Sequence, residues 1–345
     1  MDVTLSDEEQ LLADTVESLA RRLGPTSARD LGGPADRDGW RMLADAGLLG
    51  LRVPVDAGGS GASGVETMLV AEGLARHLCP QPFVGSAVLG TELLVASGAA
   101  TEVLEGLAGG RLRVAVGLDA TMRRVARLDE PGALAWDADG ADAVVLLDDG
   151  GRPVTVEAAG TPLDGADLTR GLLRLPDHPR RAGLGDPGGA PTPDAWQRWE
   201  CLALAVLSAD LVGTMEGALA AAVAYSGQRV QFGSHIGAFQ AVQHLCAESK
   251  VLLESSRSAT WYAAWGVDAR APAQALMAAR SAKACAGEAA AEVTQNVVQV
   301  HGGVAITWET LPHVFLRRSL LSRQTLGDER VQLGLIADDR LGAVG

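Results

Sequence analysis

Apolar residues recur at helical spacing through the first third of the chain. Leu12, Val16, Leu19 and Leu23 follow one another at steps of 4, 3 and 4, which predicts one face of an amphipathic helix. Ser6 and Glu9 stand before them as an S-x-x-E capping box, each side chain suited to a backbone donor that the first turn leaves unpaired. Trp40, Leu43, Ala44 and Leu48 predict a second helix. Residues 65–78 and 87–96 predict two more, kept apart by Cys79-Pro80-Gln81-Pro82, which breaks any helix. The pattern then shortens. Apolar pieces at 113–118, 133–136, 143–147, 153–157 and 172–175, with Asp, Gly and Pro clusters between them, predict short strands of a small antiparallel sheet or barrel. Residues 182–193, rich in Gly and Pro, read as a linker. Beyond them the helical period returns in long stretches. Residues 196–228 are apolar on nearly every side, the mark of a helix packed between others. Residues 239–265 and 273–300 follow, the second crowded with alanine and stopped by Gly302-Gly303. The expected fold is mainly α with a small β module: a helical domain over 1–112, a reduced β domain over 113–187 and a helical bundle over 194–345.

Composition narrows the partners. Apolar residues make up 47% of the 345, enough for a buried core and against disorder. Lys and Arg number 29 against 43 Asp and Glu, a formal charge of −14, which argues against nucleic acid or an anionic membrane as partner. An anionic ligand in a local basic pocket stays open. The four cysteines form no C-x-x-C pair and the histidines no H-E-x-x-H, so neither a disulfide framework nor a zinc site reads from them. The acidic start MDVTLSDEEQ is no signal peptide, and no charge-free apolar run of about 18 residues predicts a membrane span. A cytoplasmic, reduced protein is expected.

Gly59-Ser60-Gly61-Ala62-Ser63-Gly64 spells G-x-G-x-x-G, yet Pro54 interrupts the apolar piece before it and no second strand follows. A dinucleotide fingerprint needs both strands, so a glycine-rich turn is the better account. Ser60 is no nucleophile elbow, because Ala62 stands where G-x-S-x-G needs glycine. Two later strings carry more. Arg229-Val230-Gln231-Phe232-Gly233-Ser234-His235-Ile236, continued by Phe239-Gln240, sets a guanidinium and amides beside aromatic rings, a set suited to a phosphate next to a planar heterocycle. Taken alone, it is also a helix end with a dipole-compensating Arg and a glycine turn. Gln299-Val300-His301-Gly302-Gly303 lets a ligand approach the backbone closely, or is an ordinary glycine cap.

Together these strings closely resemble the acyl-CoA dehydrogenase family, as does residues 40–61 with its W-x-x-L…GL…P…GGSG pattern. The order of helical domain, β module and C-terminal four-helix bundle is the family's as well. The resemblance implies FAD-dependent α,β-desaturation of an acyl-CoA thioester, with a carboxylate base taking the α-proton, the flavin taking a hydride, and an electron-transfer acceptor reoxidising it. The family shares each FAD between subunits. By that matching, Arg229, Gln231, Phe232, Ile236, Phe239, Gln240, Gln299, Val300, Gly302 and Gly303 contact the adenosine diphosphate arm of a flavin seated on a neighbouring subunit.

The chain departs from the family elsewhere. The T-E-P…G-S-D and W-I-T-N-like stretches that receive the flavin ring are absent, and residues 114–119 stand where the first would be. One base position falls at or beside Gly327, with Asp328 and Glu329 one and two residues off; the other falls near Leu202 and Ala203, with Glu200 nearest. No catalytic residue is assigned. This pattern resembles the short subunit of heteromeric (α2β2) acyl-CoA dehydrogenases of bacterial steroid side-chain degradation, in which a longer partner carries the base. The rival readings are a self-sufficient homomer using Asp328 or Glu329, and a non-catalytic scaffold of the same fold.

Overall fold

The computed structural model describes residues 4–33, 36–184 and 188–342. The middle of the expected linker, 185–187, lies outside them. Five α-helices come first among the described residues. α1 (Asp7–Leu23) begins at the capping box, where Glu9 N donates to Ser6 Oγ at 3.2 Å and Ser6 N to Glu9 Oε2 at 2.7 Å. α2 (Arg37–Asp45) is capped by Asp36 and α3 (Gly64–Arg76) by Ser63. After the two prolines the chain turns at once into a fully buried π-helical stretch, Phe83–Gly90, which runs on into α4 (Thr91–Ser97). This helix therefore starts four residues before the periodic signal does, because a stretch buried on all sides carries no period. α5 (Thr101–Ala108) has no sequence forecast: eight residues are too few to establish a repeat.

Six strands follow: β1 (Val114–Leu118), β2 (Leu134–Trp136), β3 (Ala143–Leu147), β4 (Pro153–Glu157), β5 (Thr161–Leu163) and β6 (Leu172–Arg174). They form one open sheet in the order β4-β3-β1-β2-β6-β5. The expectation of an antiparallel sheet or barrel needs correction, since β1 and β3 pair in parallel with Val114 opposite Ala143. β2 folds back on one side of β1, so β3 must join from the other side in the direction of β1. β1 is buried at all five positions, as a central strand covered on both faces should be. β5 escapes sequence reading because it is an edge strand with Thr161 and Pro162 exposed, where proline is tolerated and alternation disappears.

The remainder is α6 (Pro193–Gln228), α7 (Gln240–Ala269), α8 (Pro272–His301), α9 (Pro312–Gln324) and α10 (Glu329–Leu341), with a two-stranded hairpin, β7 (Val230–Gln231) and β8 (Ser234–His235), after α6. By length and apolarity alone α6 could cross a membrane, but 94% of its most apolar stretch is buried in the protein, the setting of a core helix. Gly213 and Gly217 let α3 lie directly on α6: a Cβ at either would collide with the carbonyl oxygen of Glu72 or Arg76. Both carbonyls belong to helix backbone and cannot rotate away. Gly213→Ala should therefore destabilise the fold by about 1–3 kcal/mol, read as a shift in urea midpoint at constant m.

A buried ionic cluster ties the sheet to the helices. Asp210 on α6 accepts from Arg170 Nη2 at 2.7 Å, Arg318 Nη2 at 2.6 Å and Ser322 Oγ at 2.7 Å. Arg170 lies over the Trp136 ring at 4.7 Å and 3.8 Å from Asp137, whose other oxygen accepts from Gly85 N at 2.9 Å. Arg318 also donates to Thr169 Oγ1 at 2.8 Å and to Cys79 O. One cluster thus fixes the π-helical stretch, β2, α6 and α9 in one arrangement.

Candidate cofactor-binding site

α6 ends at Gln228, and Arg229 closes it by donating its N–H to Tyr225 O at 2.8 Å. The hairpin pairs Val230 with His235 and Gln231 with Ser234. Its two turn residues, Phe232 and Gly233, both have positive φ (53° and 80°), the pattern of the tight turn whose twist matches a hairpin. Phenylalanine is an unusual choice there, and the residue is 94% exposed, its ring meeting that of Phe239 edge-on at 6.2 Å. Side chains of this shape held out in water at the cost of backbone strain point to a contact outside the chain.

The second string comes to the same place. α8 ends at His301, and Gly302 takes φ 64°, a conformation that favours glycine. The His301 ring stacks on Tyr225 at 4.5 Å, joining the ends of α6 and α8. Its Nδ1 donates to Val297 O at 2.8 Å, which fixes the neutral tautomer, while burial lowers its pKa against that bond. Ile236 and Val300 share one apolar cluster with Ala222, Val242 and Val297.

Of the ten residues singled out by sequence, Arg229, Gln231, Phe232, Phe239, Gln240, Gln299, Gly302 and Gly303 are exposed around this junction. Val300, buried, and Ile236, half-buried, instead pack into the cluster beneath. The donor set suits a diphosphate. One guanidinium and the amides of Gln231, Gln240 and Gln299 stand free of any other side chain among the described residues; Gln231 Nε2 reaches only Val230 O, at 2.9 Å.

The acids near the base positions are engaged otherwise. Asp328 caps α10, its Oδ1 accepting from Val331 N at 3.1 Å. Glu329 pairs with Arg323, and this bond holds its pKa low against partial burial. Glu200 pairs with Arg280 at 3.0 Å, and Leu202 and Ala203 are core. Glu309 pairs with Arg29 across the chain, and Leu311 occupies the N-cap position of α9. At the position beside Gly327, Leu326 N donates to Met122 O at 2.7 Å, and both residues have positive φ (56° and 55°). Lys283, fully buried, donates to Arg323 O at 2.7 Å and Gly327 O at 3.0 Å; burial brings its pKa down to about 7, against Asp328 and Glu329. Sequence reading missed both Lys283 and the Asp210 cluster. The available signal was a lone charge inside an apolar helix, which for Asp210 stands in the run 201–215.

Residues 6–104 match the N-terminal domain model of acyl-CoA dehydrogenases, and residues 204–341 the C-terminal domain model. The chain is 32% identical over 335 residues to acyl-CoA dehydrogenase IpdE2 of Mycobacterium tuberculosis, covering 95% of this chain and 96% of that protein. The chain belongs to the acyl-CoA dehydrogenase family. Two solved structures are also similar. A Tcur3481-Tcur3483 steroid ACAD variant superposes with TM-score 0.81 at 25% identity, covering 99% of this chain and 100% of that one. The ChsE4-ChsE5 complex of M. tuberculosis superposes with TM-score 0.80 at 24% identity and full coverage of both chains. As a member of this family the chain is part of an FAD-dependent oxidoreductase.

Proposed function

We propose that this chain is the base-lacking subunit of a heteromeric acyl-CoA dehydrogenase, an α2β2 assembly in which a longer partner subunit supplies the flavin-ring seat and the catalytic carboxylate. The observation that carries this reading is the junction of Leu326 and Met122. Beside Gly327, the base position read from the sequence, the chain's own backbone closes on itself, Leu326 N bonded to Met122 O around a buried leucine. Without a base the α-proton has no acceptor, a loss of typically about 10²–10⁴-fold. The other half of a flavin site is presented to the outside instead. Arg229 and the three glutamines would hold the diphosphate, the phenylalanines would flank the adenosine, and Gly302 and Gly303 would let it approach. Bound FAD supplies the acceptor for the hydride that leaves the β-carbon, and an external electron-transfer acceptor takes the electrons onward.

The substrate proposed is a bulky acyl-CoA such as a steroid side-chain thioester, supported by the solved steroid ACAD with which the chain superposes. A partner subunit is supported by the two-protein complexes among the similar structures. The three-part division at 1–112, 113–187 and 194–345, and a cytoplasmic setting, complete the reading.

The visible spectrum tests it. Purified alone, the chain should be colourless and inactive. Co-expressed with its longer subunit, it should show flavin absorbance at about 450 nm, with about one FAD per pair of unlike chains. A yellow, active protein from this chain alone would overturn the proposal in favour of a self-sufficient homomer. A complex without flavin would favour the scaffold.

A further inference from the structure

Against a net charge of −14, four arginines gather in one cleft. Arg37 and Arg41 come from α2, and Arg111 and Arg113 from the turn that leads into β1. They line a space of about 220 Å³ together with Trp40, Gly109 and Gly110, and Asp142 is the one acid on its wall. We infer that this cleft is an anion-binding site that takes a phosphate or diphosphate group, separate from the hairpin at the end of α6.

The four guanidinium groups have no ion-pair partner and no side-chain acceptor among the described residues. The nearby acids are committed elsewhere. Asp142 Oδ2 accepts from the backbone N–H of Arg113 at 2.9 Å. Asp36 accepts from Gly39 N at 2.9 Å and from Gln81 Nε2 at 3.0 Å. Arg113 is only 7% exposed and lines both this cleft and a larger, acid-lined one beside it, its guanidinium held 4.7 Å over the Trp40 ring. Trp40 is itself pinned by its Nε1 donating to Gly110 O at 3.2 Å. Burial lowers the pKa of Arg113 and Arg37 adds to it, while Asp142, Asp36 and Asp139 offset part of the change without any of them bonding the guanidinium.

A purely structural role accounts for little of this. The Trp40 contact explains one arginine of the four. Arg37 and Arg41 stand four apart on one helix, where like charges repel, and Arg37 occupies the first helical position, where the dipole disfavours a cation. Each choice costs stability unless an anion occupies the cleft. Several planar forks lining one small cleft suit phosphate oxygens, which accept bidentate bonds. The volume accommodates one or two phosphate groups and little more.

Calorimetric titration of the full chain at low ionic strength with pyrophosphate, inorganic phosphate and CoA tests the inference. Saturable binding of pyrophosphate is expected. The Arg41→Gln/Arg111→Gln double variant, altered only at exposed positions, should weaken it about tenfold or more at an unchanged melting temperature. Arg113→Lys, which keeps the charge and loses the fork, should weaken it too. Arg22→Gln, exposed on α1 and outside the cleft, should leave it unchanged, and the double variant should keep the flavin content of the co-expressed complex, which separates this cleft from the proposed flavin arm. Tighter binding of CoA than of pyrophosphate would identify the diphosphate as one carried on the thioester cofactor, and the reverse order as free anion. No saturable binding of any of the three, or binding that the double variant leaves intact, would overturn the inference.

Discussion

Asp210→Asn should cost about 3–5 kcal/mol of folding stability, the largest effect expected of any single change in this chain. The substitution preserves shape and removes the one carboxylate on which Arg170, Arg318 and Ser322 converge. Two guanidinium groups, both buried, would then share an amide. Asp137 cannot stand in, since it lies 3.8 Å from Arg170 and is already bonded to Gly85 N. Urea denaturation followed by far-UV circular dichroism measures the loss. A change below about 1 kcal/mol would mean that water reaches the arginines and that the cluster is not a dry one.

The same group sets part of the acid stability. Burial alone would raise the Asp210 pKa, but Arg170 and Arg318 outweigh it and bring the value from 3.8 down to about 2. A depressed acid binds its proton more weakly in the folded state. Its stabilisation is therefore complete above about 3.8 and disappears as pH falls through about 2. Asp137 acts in the opposite sense: burial, only partly offset by Arg170, pushes its pKa up to about 6 from 3.8. The Asp137 contribution to stability should thus decline as pH rises between these two values. In Asp210→Asn the acid limb between about 4 and about 2 should flatten while the higher window persists.

Arg229→Gln, made in the co-expressed complex, should raise the dissociation constant for FAD by about tenfold to about 150-fold. That range follows from removing hydrogen bonds between a guanidinium and a charged oxygen, worth about 1.5–3 kcal/mol. The melting temperature of the chain alone should not move, because the Arg229 side chain touches no acceptor among the described residues. Arg22, exposed on α1, supplies the control: Arg22→Gln should retain full flavin content. Unchanged FAD affinity in Arg229→Gln would reject the half-site reading and leave the exposed hairpin as a contact between subunits only.

Much of this chain is legible in its sequence. The capping box, the steps of 4, 3 and 4 along α1 and the apolar breadth of α6 are local facts, written within one or two turns of chain. The G-x-G-x-x-G string is the glycine-rich turn that its flanking residues predict. It folds as a turn in which Ser60 N and Gly61 N return to Gly50 O and Val53 O, and Ser63 then caps α3. The two strings at 229–240 and 299–303 pointed to one place although each alone reads as a helix end. A family resemblance was needed to join them, and the Tyr225–His301 stack is how the fold does so.

Sequence alone determined the local elements, the helical composition and the family, because each rests on residue types at short fixed spacing. Only the tertiary structure decided the parallel pairing of β1 with β3, the convergence of Asp137, Arg170, Asp210 and Arg318, and the gathering of arginines from α2 and the β1 turn. Those features join positions far apart along the chain. Their energies come from burial and from the sign of neighbouring charges, and no periodicity records which distant segments will meet.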